Sequence, residues 1–165
     1  MQTQSRPVAS VGAFAALLLC LPTADLQATV VGGPILSDTT WTTARNPYTV
    51  MTNVIVGGGA TLTIDAGVEV RFAQGGVLLI GSRAFGPGTI VAEGTEAEPI
   101  VFTTNEAAAA PGDWSRIQFS DLAVDAVFDE SGYVSGCKLE HVIIEYAGGR
   151  QQSAVVIETW RSRPL

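Results

Sequence analysis

Acidic side chains are the residues of this chain best placed by type and spacing to do chemistry. Asp121, Asp125, Asp129 and Glu130 fall within ten positions of one another in a long segment between the apolar runs ending at Phe119 and beginning at Leu139. Carboxylates collected on one loop can hold Ca²⁺, which takes six to eight oxygen ligands. A pair flanking a glycosidic bond at about 5 to 10 Å can hydrolyse it. The steps of four suit a solvated loop equally well, and the Asp-x-Asp-x-Asp-Gly order of an EF-hand is absent. The loop is therefore a candidate Ca²⁺ site, and no other cofactor is indicated. Trp114, beside Asp113, is a candidate for stacking on a sugar ring, and Trp41 and Trp160 are weaker candidates of the same kind.

Other chemistries lack their parts. His141 is the one histidine, so neither a histidine metal cage nor a Ser-His-Asp triad has partners to spare. Gly57, Gly58 and Gly59 are not followed by the Lys-Ser or Lys-Thr of a phosphate-binding loop, and they read as a turn. No catalytic residue is assigned. The formal charge of −7, with nine basic residues against 16 acidic ones, argues against a nucleic-acid partner, which needs clustered Lys and Arg.

These residues must be positioned by strands. From about Val50, short runs rich in Val and Ile alternate with clusters of Gly, Pro, Asp, Ser and Thr, the pattern of strands and turns. Val68, Val70 and Phe72 share one side of an extended segment, with Glu69 and Arg71 on the other. Helical spacing of apolar residues over three turns does not occur after residue 28, and Pro111 and Gly112 stop the short alanine run at 107–110. Neither Asn-Gly nor Asp-Gly, the strongest hairpin signals, is present. Asp65-Ala66-Gly67 separates two strands as a corner instead.

The runs also repeat. Leu78, Ile117 and Val155 open equivalent strands 39 and 38 residues apart, and Val70, Phe102 and Ile144 form a second set at 32 and 42. Uneven spacing around a constant core pattern predicts stacked coils with inserted loops, each coil closing its neighbour's apolar face.

The phrases ATLTIDAGVEVRF (60–72), IVAEGTEAEPIVFTT (90–104), GDWSRIQF (112–119) and LEHVIIEYAGG (139–149) resemble the repeats of pectate-lyase-like proteins of bacterial secreted and cell-surface type. The resemblance covers about 50–158. It implies an all-β, right-handed parallel β-helix, a single-chain solenoid of which these would be the N-terminal coils, with an uncapped C-terminal end. It also implies contact with polysaccharide or cell-surface components and transfers no catalytic residue, because fold does not fix function.

The expected organisation is a signal peptide over 1–28, a cap or lead-in over 29–49, coils over 50–158 and an irregular tail over 159–165. Arg6 and the apolar stretch 11–21 have the charge and length of a secretory signal, short of the roughly 20 residues that span a bilayer. Export to the cell surface or medium follows, with no membrane span left after cleavage. Removal of that segment takes Cys20 with it and leaves Cys137 alone, expected to pack inside. Trp41 is expected to plug the first coil. The abrupt end after Ile157 predicts a piece of a longer protein or end-to-end self-association. The functional expectation is a structural, adhesive or glycan-contacting module without catalysis, the alternative being the N-terminal part of a polysaccharide lyase or glycoside hydrolase.

Overall fold

The computed structural model describes residues 28–149 and 153–158. The expected signal segment up to residue 27, and Trp160 with the tail, lie outside them. Within this range the chain is a parallel β-helix. Its strands follow in order as β1 (Thr29–Ile35), β2 (Thr39–Trp41), β3 (Tyr48–Val56), β4 (Thr61–Ile64), β5 (Glu69–Phe72), β6 (Val77–Ile80), β7 (Thr89–Glu93), β8 (Ile100–Thr104), β9 (Arg116–Phe119), β10 (Val127–Asp129), β11 (Gly132–Ser135), β12 (Lys138–Glu140), β13 (Val142–Ile144) and β14 (Val155–Ile157). A turn of 3-10 helix spans Thr43–Arg45. The alanines at 107–110 are exposed and non-helical.

Three faces wind around one core. On the first, Tyr48, Val70, Phe102 and Ile144 lie in register from coil to coil. On the second, the column is Val54, Leu78, Ile117 and Val155. The third stacks Trp41, Ile64, Ala92 and Leu139. The two sets of repeating positions read from the sequence are thus neighbours in the first two faces. Alternation explains why: β4, β5 and β6 each bury every second side chain, and a ladder aligns buried with buried. Val70, Phe72, Leu78, Phe102 and Ile117 have no exposed surface.

Three features depart from the sequence reading. The segment 29–49 is more than a lead-in: β1 pairs in parallel with β3 along both of its halves, and β2 pairs with β4, so the coils begin at Thr29. Its apolar signal is weak: partly buried Val31 and Ile35 are set among Gly, Pro and Thr, and β2 is mostly threonine. Trp41 does close the top of the core, 3 % exposed and stacked on Tyr48 at 4.8 Å. Second, the apolar run 139–146 is not one strand. It bends at His141, where φ is +45°, so that β12 ends the third face and β13 starts the first face of the next coil. Histidine is among the non-glycine residues that tolerate that region best. Third, the long segment after Phe119 contains an antiparallel hairpin, β10–β11, with a bulge between Val127 and Phe128.

Candidate functional site

The hairpin leaves the stack between the second and third faces of the fourth coil, and close backbone packing fixes its neck. A Cβ on Gly81 would stand 2.4 Å from the Leu122 carbonyl carbon, and one on Gly136 would stand 2.0 Å from the Asp125 carbonyl oxygen. Val124 donates its N–H to the Gly88 carbonyl at 3.0 Å, and Cys137 donates to the Val124 carbonyl at 2.9 Å. These contacts need glycine because only a residue without Cβ lets two backbones approach so closely.

Beyond the neck the hairpin projects. Phe128 is 68 % exposed and meets the Tyr133 ring edge-on at 5.9 Å. Val127 and Val134 are also exposed. Tyr133 donates its hydroxyl hydrogen to the Gly136 carbonyl at 2.6 Å, and Lys138 Nζ lies 4.9 Å from the centre of its ring. At the hairpin's foot is a cavity of about 610 Å³. Phe119, Val124, Leu139, Val155 and Ile157 give it apolar walls, while Asp121, Asp125, Cys137, Lys138 and Glu158 line it with polar groups. Burial pushes the half-buried Cys137 thiol above its ordinary range.

The four carboxylates singled out by spacing separate into two pairs. Asp121 and Asp125 border the cavity, whereas Asp129 and Glu130 sit at the hairpin turn. Asp129 Oδ1 accepts the Ser131 N–H at 2.7 Å and the Ser131 hydroxyl at 2.6 Å, and these bonds hold its carboxyl below the usual range. Its work is local: it closes the turn. Among the described residues no three acidic, histidine or cysteine side chains gather so as to hold a metal ion. The hairpin carries Asp129 and Glu130 away from Asp121 and Asp125, so the four do not form one cluster.

Trp114 is the plainest correction. It has no exposed surface, stacks on Phe72 at 4.1 Å with 6° between the planes, and donates its Nε1–H to the Glu145 carbonyl at 2.7 Å. It fills the corner between the first and second faces and cannot reach a sugar. His141 is exposed at the bend between β12 and β13. The glycines at 57–59 form a turn, with Gly58 donating its N–H to the Phe85 carbonyl.

A second, more polar groove of about 500 Å³ runs outside the first face, lined by Thr43, Asn46, Pro47, Glu69 and Arg71. Arg71 grips Glu69 through Nε at 2.8 Å and Nη2 at 3.3 Å, and this bond raises the guanidinium's affinity for its proton. The Asn46 amide donates to the Gly67 carbonyl and accepts the Glu69 N–H, tying the corner to the strand. Sequence reasoning treated Glu69 and Arg71 as plain outward residues; a charged pair two positions apart on one strand was the available signal. It missed Phe128, Tyr133 and Lys138 as a group. The alternation of Val, Phe, Tyr and Val around Asp-Glu-Ser-Gly was the clue.

No helix among the described residues is long and apolar enough to cross a membrane. Neither the curated proteins nor the solved structures provide a significant match to the chain. A family model described as a pectate-lyase-like β-helix domain matches residues 33–124, from the second half of β1 through β9 to the start of the hairpin's neck. With more than half of the sequence inside that match and three parallel faces stacked in register, the chain belongs to the family of pectate-lyase-like β-helix domains.

Proposed function

We propose that this is an exported, non-catalytic β-helix module that contacts polysaccharide at a surface, using hairpin β10–β11 and the cavity at its foot. The observation that carries the reading is Phe128, a large ring with 68 % of its surface in water on a rigidly necked projection. Aromatic faces pack against the C–H faces of sugars, and a carboxylate such as Glu130 at the same turn can accept hydroxyl hydrogen bonds. The chain's charge of −7 favours neutral over acidic glycans, because like charges repel at short range. Export rests on the apolar 11–21 stretch after Arg6.

Affinity electrophoresis of the mature protein through gels cast with neutral or acidic polysaccharides tests this. Retardation by a neutral glycan is expected, with Phe128→Ala weakening it about tenfold, in line with the loss of one well-placed ring. Equal retardation of the wild type and the variant would reject the hairpin as the contact. Release of unsaturated products absorbing in the ultraviolet from polygalacturonate, with or without Ca²⁺, would favour a lyase and defeat the non-catalytic reading.

A further inference from the structure

Phe128 and Tyr133 face each other across the hairpin as a cross-strand pair. The pairing depends on the bulge: Val127 lies opposite Ser135 but Phe128 lies opposite Tyr133, so the register passes over Val134 and brings the two rings together. They meet edge-on at 5.9 Å. Cross-strand aromatic pairs stabilise a ribbon, yet a two-stranded ribbon by itself is marginal in water. Among the described residues β10 and β11 pair only with each other. The set of the Phe128 ring therefore depends on what holds Tyr133.

Tyr133 is held from two sides. Its hydroxyl donates to the carbonyl of buried Gly136 at 2.6 Å, which ties the ring to the neck. Lys138 Nζ stands 4.9 Å from the centre of the same ring, a cation on an aromatic face. That lysine is itself fixed, with Glu93 Oε1 of the neighbouring coil at 2.6 Å and Glu140 Oε2 of its own strand at 2.7 Å. Each ion pair is weak taken singly, because both are exposed. Together they give the side chain a direction, whereas a lysine in open water samples many rotamers.

We infer that Tyr133 and Lys138 are positioning residues for the Phe128 platform: Lys138, aimed by Glu93 and Glu140, fixes the Tyr133 ring, and Tyr133 fixes the ring of Phe128. A ring that is already held loses less freedom when a ligand packs on it, so these contacts add affinity without touching the ligand. Their use on a glycan rests on the polysaccharide contact proposed above, whereas the ordering of Phe128 does not.

Two measurements on the mature protein test this. The first is the order of the Phe128 ring, read from carbon relaxation with no glycan present; a change of charge nearby does not by itself loosen a ring. Order should fall in Tyr133→Leu and in Lys138→Gln and be kept in Lys138→Arg, which retains the cation and its carboxylate partners. Order unchanged in Lys138→Gln, or as low in Lys138→Arg as in Lys138→Gln, overturns the assignment. Amide exchange at Leu78 and Phe102 is the control for the stack. Should it rise in Lys138→Gln, Tyr133→Leu decides, since it leaves both ion pairs in place, and unchanged order there overturns the proposal. The second measurement is retardation by a neutral polysaccharide. Lys138→Gln should weaken it about threefold when Phe128 is present and have no effect in the Phe128→Ala background. Equal weakening in both backgrounds would mean that the lysine touches the glycan itself, and the positioning role would fall. A wild type that no neutral glycan retards removes the polysaccharide contact, and the order of the ring still decides the assignment of Tyr133 and Lys138.

Discussion

At the scale of single residues, a corner can turn a side chain from water into the core. Trp114 follows Gly112 and Asp113, a polar setting that reads as surface, yet Gly112 at φ +90° turns the chain so that the indole enters the core. There it stacks on Phe72 and donates its Nε1–H to the Glu145 carbonyl. Trp114→Ala removes that stack and leaves the carbonyl without its donor, so it should destabilise the protein by about 3 to 5 kcal/mol. Urea unfolding followed by circular dichroism measures the loss, and a change under 1 kcal/mol would show that the ring is not part of the core. Strand positions were more legible than corners. Glu69 and Arg71 were read as outward from the alternation with Val68, Val70 and Phe72, and they are outward. Their bidentate grip was not legible, because it depends on rotamers that no spacing rule fixes.

Between elements, legibility followed the strength of the ladder. Where a strand buries every second residue, its columns recur down the sequence, and the register of Leu78, Ile117 and Val155 is legible in their spacing. Coil β1–β2 escaped because its partly buried Val31 and Ile35 are set among Gly, Pro and Thr, where deeper coils carry Leu and Ile. The hairpin escaped because its turn uses Glu130-Ser131 rather than Asn-Gly. Glycine gives an element-level test of how tightly the coils are joined. A Cβ at Gly88 would stand 2.2 Å from the Val56 carbonyl oxygen on the coil above, a clash with backbone that no side-chain rotation relieves. At Gly59, with φ +80°, a Cβ meets nothing within 4 Å. Gly59→Ala should therefore cost about 1 to 2 kcal/mol of conformational strain. Gly88→Ala has to spread two coils held about 4.8 Å apart and should cost about 3 kcal/mol. Thermal melts of the two variants rank them, and a Gly59→Ala protein melting below Gly88→Ala would contradict the tight stacking at that corner.

For the whole molecule, the stack behaves as a one-dimensional array in which each coil is stabilised by the coil above and the coil below. Position along the axis should then matter as much as chemistry. Ile117 and Ile144 carry the same side chain and both face inward, but Ile117 is fully buried between Leu78 and Val155, whereas Ile144 is partly buried on the outermost described rung of its face. Aspartate at Ile117 places a carboxylate where water cannot follow, and neutralising or hydrating it requires opening two interfaces at once. Ile117→Asp should abolish the cooperative transition. Aspartate at Ile144 breaks one interface and can reach solvent by loosening the last coil. Ile144→Asp should therefore keep the transition with a lower midpoint, and amide exchange should rise at Val142–Ile144 while Val70 and Leu78 remain protected. Exchange resolved by residue separates the outcomes: equal loss of protection along the whole axis in Ile144→Asp would mean that the coils fold as one indivisible unit, and the additive picture of stacked turns would have to be abandoned.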